Sequence, residues 1–241
     1  MPRSLVLIMT DHSPPTQAFN KVLASLPPEV RSFLERRAEK KEMKAGDVIF
    51  EEGAVITHAV FPHEGVISLI ANMENGRGVE KSLIGPEGFL GFAIAMGGKT
   101  VLGRSVVQVA GNASWVPVAE VEVALLRFEC LREALLRFTK AHISQLMESL
   151  ACTSLHSAEQ RVSRWLLQAH DRVAGDTFHI TQETVATLLA LRRATVNAVC
   201  TDLMDTGAIS YHRGALRVID RNRLLDKACE CYGRIQMAAS V

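Results

Sequence analysis

The chain has 241 residues, of which 48% are hydrophobic and 22% charged, an ordinary balance for a folded globular protein of one or two domains. Its formal net charge is +1, and residues 158–241 hold eleven Lys and Arg against nine Asp and Glu, so any nucleic-acid surface must be local. Five cysteines, at 130, 152, 200, 229 and 231, are an odd number without the spacing of a disulfide framework, and no apolar run is long enough to span a bilayer. Leu5–Met9 is too short for a secretory signal, so the expected compartment is the cytoplasm, with reduced thiols and no membrane partner.

Residues 1–17, with Pro14 and Pro15, read as a loose lead-in. Residues 18–38 read as two helical pieces broken at Pro27-Pro28, with Pro28 suited to a first helical turn. From Glu42 to about Val118 the pattern changes. Glycines punctuate short β-rich runs at Val48–Phe50, Ala59–Phe61, Val66–Ala71, Val79–Ile84, Ser105–Val109 and Ala113–Val118. Short strands at roughly ten-residue spacing indicate an all-β sandwich or barrel, with a double-sheet jelly roll favoured. This unit spans 18–120.

Residues 121–156 lack glycine and proline and read as one long helix. Leu136, Ile143 and Leu150 recur every seven residues, with Thr139, Leu146 and Thr153 at the other heptad position. Such a seam serves either a dimer, through Leu136, Ile143, Leu146 and Leu150, or packing on the chain's own β-roll. Ser157-Ala-Glu-Gln160 is a capping box that opens a new helix carrying Val162, Leu166, Ala169 and Val173 inward, with Gly175 at its end and Trp165 in its core contact. This places a boundary near His156.

Thr181 to Ile209 reads as two short helices joined by a tight turn. Thr181 suits an N-cap; Val185, Leu188 and Leu189 form one apolar stripe, and Val196, Val199, Cys200 and Leu203 form the other. Arg192, Arg193, Asn197, Ala198 and Thr201 remain outside. Arg193 and Asn197, four apart, share an exposed face, as suits a helix entering the major groove by its N-terminus. Alone, the segment is equally a plain helical hairpin. Ile209–Tyr211, the turn His212-Arg213-Gly214-Ala215 and Leu216–Ile219 then form a β-hairpin, with Arg213 and Arg217 placed to grip phosphate. Helix, turn, helix and hairpin make a winged helix-turn-helix over 157–223, and 224–241 reads as a tail. The fold class is α+β multidomain: an N-terminal β jelly roll, a long dimerisation helix and a C-terminal winged helix-turn-helix.

This order resembles the Crp/Fnr family of transcription regulators from about Leu23 to Arg223. The closest likenesses are Arg192-Arg193-Ala194-Thr195-Val196, the glycine-punctuated β region and Lys44-Ala-Gly-Asp-Val-Ile-Phe-Glu-Glu-Gly53. The resemblance implies a homodimer on a two-fold symmetric site in double-stranded DNA, with RNA polymerase as a further partner. It places Arg193 and Thr195 at base- and phosphate-contacting positions. The DNA-binding set is then Arg192, Arg193, Thr195, Asn197, Thr181, Arg213 and Arg217. Ala194 and Ala198 stand where many members carry an acidic reader and another arginine. If Ala190 needs a left-handed backbone in the turn, it costs on the order of 1 kcal/mol.

Cyclic-nucleotide members carry a phosphate-binding cassette. The matching stretch here is Gly85-Pro-Glu-Gly-Phe-Leu-Gly91-Phe92, then Arg104-Ser105-Val106. Phe92 stands at the acidic position and cannot accept a ribose hydrogen bond. Arg104 and Ser105 remain either an anion site or an ordinary surface pair, and Glu87 lies too early to substitute. Gly91, Phe92, Arg104 and Ser105 are therefore the candidate effector positions, with classical cyclic AMP binding not expected and the effector open. No cysteine precedes 130, which excludes an N-terminal iron–sulfur sensor. His58 and His63 read as structural or exposed, and Cys229-Glu-Cys231 as a thiol pair without companion ligands. No metal and no cofactor are expected, and no catalytic constellation assembles. Two alternatives stay open: an effector-binding dimer whose C-terminal module mediates protein contacts, and a true cyclic-nucleotide-responsive regulator.

Overall fold

The structure, a computed structural model, describes residues 19–239; the lead-in at 1–17 lies outside them. Two short helices, α1 (Lys21–Ala24) and α2 (Pro28–Glu35), come first among the described residues. Proline in the first turn of α2 costs no hydrogen bond there, because that N–H would have no intrahelical partner.

The β-roll follows: β1 (Glu39–Met43), β2 (Val48–Phe50), β3 (His58–Asn72), β4 (Gly78–Ile84) and β5 (Arg104–Pro117). All pairings are antiparallel, in the order β1-β5-β3-β4 with β2 also on β5. Four of the short runs expected from the sequence are two long strands. Ala59–Phe61 and Val66–Ala71 join as β3, and Ser105–Val109 and Ala113–Val118 join as β5, apart from Val118, which opens the next helix. Gly65 and Gly111, which look like turn signals, sit inside these strands. The β3–β5 register shifts around Glu64, where a Cβ on Gly65 would lie 2.7 Å from the Val109 carbonyl. They are bulge glycines that let two strands cross closely and the sheet bend into a roll. Strand β1 carries no sequence signal of its own, because Glu39, Lys40 and Lys41 show no apolar alternation.

The expected single helix over 121–156 is two helices, α3 (Val118–Arg127) and α4 (Glu129–Leu155), broken at Phe128 (φ −126°, ψ 102°). Neither glycine nor proline causes the break. Phe128 turns its ring edge-on to Phe33 of α2 (5.4 Å, 71°), so core packing overrides the local helical preference. Helix α4 buries Leu131, Ala134, Leu135, Phe138, Thr139 and His142. Thr139 thus faces the roll and donates to the Leu135 carbonyl (2.8 Å), not to a partner helix.

Helix α5 (Ala158–His170) starts at the capping box: Gln160 N donates to Ser157 Oγ (3.3 Å) and Ser157 N to Gln160 Oε1 (3.0 Å). It ends at His170, earlier than Gly175, which is left-handed (φ 76°) in the following loop. Then come β6 (Thr177–His179), α6 (Gln182–Leu188), α7 (Arg193–Asp205), β7 (Ile209–His212) and β8 (Ala215–Val218), with the small sheet in the order β6-β8-β7. Strand β6, three residues long, is too short to show a period. Residues 224–241, read as a tail, include the end of α8 (Arg221–Asp226) and α9 (Cys231–Ala239), which packs along α4.

The head formed by α5 to β8 is seated on the roll. Val66, Leu83 and Val109 of the roll join its apolar core. Trp165, fully buried, donates through Nε1 to Glu80 Oε1 (3.0 Å), and Glu80 also accepts from Ser68. Arg172 donates through Nε and Nη2 to Glu87 Oε1 (3.0 and 2.7 Å). Its aliphatic stem lies on Gly85, where a Cβ would meet it at 2.6 Å. Glu87 thus ties the roll to the head.

Candidate nucleic-acid interface

Helices α6 and α7 form the turn-linked pair expected from the sequence. Thr181 caps α6 by accepting from Thr184 N (3.0 Å). Val185, Leu188 and Leu189 go into the core from α6, and Val196, Val199, Cys200 and Leu203 from α7. Ala190 holds φ 51° in the turn, the left-handed backbone that a Cβ disfavours. Arg161 of α5, not singled out in the sequence, braces the turn by donating to the Leu189 carbonyl (2.6 Å).

Packing one stripe of α7 leaves the other in solvent. Arg192, Arg193, Ala194, Asn197, Ala198 and Thr201 are exposed or half-exposed, and Thr195 is half-buried. Arg192 occupies the N-cap and Arg193 the first helical position, and no side chain caps this end. The first turn therefore presents free backbone N–H groups and two guanidinium groups at the positive end of the helix dipole, without an acidic residue in that turn. That arrangement is unfavourable alone and is relieved by an anion such as a DNA phosphate. Arg193 lies 3.6 Å from Glu183 of α6, an exposed pair that contributes little and exchanges readily for another anion.

The hairpin lies beside α7. Its two-residue turn has both central residues left-handed, Arg213 (φ 48°) and Gly214 (φ 82°), as the primed turns that match strand twist require. Arg213 and Arg217 are exposed. Among the described residues neither they nor Arg192 lies within 4.0 Å of a carboxylate. Thr181 sits at the exposed start of α6, its hydroxyl engaged in the cap.

Of the four effector positions, Arg104 and Ser105 are already engaged within the roll. Arg104 Nε is 3.1 Å from Glu51 Oε2, an exposed surface pair. Ser105 is fully buried, with its hydroxyl donating to the Gly103 carbonyl (3.3 Å). Gly91 (φ 101°) and Phe92 begin a 3-10 turn, Phe92–Met96, and the Phe92 ring lies 4.8 Å from that of His142. The apolar space lined by Ile56, Leu69, Leu90, Gly91 and Phe92 measures about 10 Å³, room for roughly one water molecule and not for a nucleotide. A larger cleft, about 260 Å³, lies elsewhere, between α1, α4, α9 and Arg172. Beside it His142 is held neutral: burial, opposed by the Glu87 charge and aided by Arg172, lowers its pKa to about 4.

On α4, Leu136 (42%), Ile143 (45%) and Leu150 (71%) are exposed on one face and Leu146 is half-buried. Met147 (68%), absent from the sequence-derived set, extends the same stripe. Cys229 and Cys231 are not isolated, as their spacing alone suggests: Cys152 and His156, residues of types that can bind a metal, lie against them. No helix among the described residues is long and apolar enough to cross a membrane.

These features are those of a β-roll joined through a long helix to a winged helix-turn-helix head. Residues 160–227 match the family model described as a Crp-like helix-turn-helix domain. The whole fold is similar to that of FixK2 from Bradyrhizobium japonicum, with 15% identity over 80% of this chain and 98% of that one (TM-score 0.68). It is similar also to TTHB099, a CRP-family transcriptional regulator from Thermus thermophilus, with 19% identity over 78% and 96% of the two chains (TM-score 0.62). A third likeness is CLP, the c-di-GMP responsive global regulator from Xanthomonas campestris, with 11% identity over 80% and 99% (TM-score 0.61). No curated protein sequence matches the chain. The chain therefore carries a Crp-like helix-turn-helix domain within a fold like that of these three proteins.

Proposed function

We propose that the chain works in the cytoplasm as a homodimer that binds a two-fold symmetric DNA site, with α7 of each protomer in successive major grooves, about 34 Å apart. The carrying observation is the uncapped N-terminus of α7, with Arg192 and Arg193 exposed on it. Arg193 reads a guanine through O6 and N7, Asn197 reads the next exposed turn, and Thr195, Thr181, Arg192, Arg213 and Arg217 hold phosphates. Ala194 and Ala198 offer no hydrogen bond to a base, so the half-site differs from those read by an acidic residue or arginine at these positions. The exposed stripe of α4 supports the dimer, with Leu136, Ile143, Met147 and Leu150 in its seam. The small space behind Phe92 and the Arg104–Glu51 pair support a sensor that does not take cyclic AMP in the classical way. RNA polymerase is the further partner that the family resemblance implies.

The test is selection of duplexes from a random pool by the full chain, followed by anisotropy titration of the selected site. Arg193→Ala is expected to weaken specific binding about tenfold or more and to erase the preference for one base pair per half-site. Arg217→Ala is expected to weaken all duplexes alike and to reduce the salt slope by about one. Unchanged affinity and base preference in Arg193→Ala would rule out the proposed reading.

A further inference from the structure

Four metal-ligating side chains converge away from the α7 surface. Cys152 lies in the last turn of α4 and His156 is its C-cap residue, four positions on, so both lie on one side of the helix end. Cys229 lies just before α9 and Cys231 is its first residue, with Glu230 between them. The three thiols form a buried cluster of their own. With His156 they bring four donor atoms within 4.8 Å of one another. Cys152 Sγ lies 3.4 Å from Cys229 Sγ, and Cys231 Sγ lies 3.5 Å from His156 Nδ1.

The spacing is that of a single small ion. Zinc–sulfur bonds of about 2.3 Å and zinc–nitrogen bonds of about 2.0 Å, at tetrahedral angles, put the donors roughly 3.5–3.8 Å apart. A four-iron cube needs its ligating sulfurs spread around the whole cluster, and donors within 4.8 Å leave no room for it. Three soft sulfurs and one imidazole in a closed, largely buried set select zinc among divalent ions. The His156 ring supplies an independent sign: its other nitrogen, Nε2, lies 3.3 Å from Glu230 Oε1. A carboxylate on the far nitrogen holds the proton there and leaves Nδ1 free to ligate, the usual support of a metal-bound histidine.

We propose that Cys152, His156, Cys229 and Cys231 form a mononuclear zinc site that pins α9 across the end of α4. Binding converts three thiols to thiolates and releases three protons to solvent, and the zinc ion stays Zn²⁺ throughout. Glu230 is a positioning residue for His156. The site sits where α4 hands over to α5, between His156 and the Ser157 cap, so its occupation stiffens the junction between sensor helix and head. A second tie, Arg234 Nε and Nη2 on the Glu148 carboxylate (2.8 and 2.7 Å), lies along the same α4–α9 contact.

The experiment uses the full chain purified under reducing conditions without chelator. Elemental analysis is expected to find about one zinc per chain, lost in Cys229→Ser. Reconstitution of the stripped chain with Co²⁺ is expected to give intense tetrahedral bands with thiolate-to-cobalt charge transfer. His156→Cys, which keeps four ligands, is expected to retain those bands, so the test survives a poorly folding serine variant. Glu230→Gln is expected to weaken zinc binding about tenfold while leaving the cobalt spectrum tetrahedral. Chelation is expected to speed amide exchange through residues 229–239. A reduced chain that takes up neither zinc nor tetrahedral cobalt overturns the site. So does a zinc content unchanged in Cys229→Ser, or a Cys152–Cys229 disulfide in the chain purified with reductant.

Discussion

The Glu87–Arg172 pair gives the sharpest test of how roll and head are joined. Arg172 has 5% of its side chain exposed and Glu87 20%, and two of the three guanidinium nitrogens donate to one carboxylate oxygen. Replacing Glu87 by Ala strands a buried cation, a change that costs about 3–5 kcal/mol when one partner of such a pair is removed. Two features put the value at the lower end, about 3 kcal/mol. Arg172 Nη1 keeps the Gln168 carbonyl (2.5 Å), and both residues line the 260 Å³ cleft, through which water reaches the guanidinium. Glu87→Gln keeps an acceptor and is expected to cost about 1–2 kcal/mol. Glu87→Ala combined with Arg172→Met removes both charges and is expected to recover to within about 1 kcal/mol of wild type. Urea unfolding followed by Trp165 fluorescence measures this, since Trp165 is buried at the same junction. At an m-value of about 3 kcal/mol/M, the Glu87→Ala midpoint should fall by about 1 M. A midpoint within about 0.3 M of wild type, or a double variant no better than Glu87→Ala, would refute the reasoning.

Three further outcomes are expected. Leu150→Glu, which puts a charge on the exposed stripe of α4, should shift the chain toward monomer in sedimentation at micromolar concentration and weaken DNA binding in parallel; an unchanged sedimentation coefficient would remove α4 from the dimer interface. Ala190→Gly relieves the left-handed strain at φ 51°. It should raise stability by up to about 1 kcal/mol, because a gain of about 1–2 is offset by the lost chain entropy of glycine. A lowered melting temperature would contradict this. His142, with its folded pKa near 4 against an ordinary 6.5, stays neutral when folded and charges when unfolded. Its contribution is therefore present above pH 6.5 and lost as pH falls from 6.5 toward 4, about 3 kcal/mol in all. His142→Asn should flatten the pH dependence of urea unfolding over that window, and an unchanged slope would exclude it.

The head was legible in the sequence because its signals are local. The Ser157–Gln160 box, the Thr181 cap, the two apolar stripes and the His212–Ala215 turn each lie within a few residues, where helix period and turn chemistry dictate contact. The exposed face of α7 followed from the same stripe, since burying Val196, Val199, Cys200 and Leu203 forces Arg193 and Asn197 outward. Where a glycine has two uses, as at Gly65 and Gly111, the sequence alone read turns and the fold made bulges. Where core packing competes with propensity, as at Phe128, it read one helix and the fold made two.

By itself the sequence determined the order of units and the α6–α7 pair with its paired arginines. Only the tertiary structure decided what meets across long separations. Glu87 and Arg172 are 85 residues apart, and Cys152 and Cys229 are 77 apart. No periodicity or spacing rule reaches over such distances. Whether two side chains meet there depends on how the roll, α4, the head and α9 pack together, and this packing brings Cys229 and Cys231, read as a pair on their own, against Cys152 and His156.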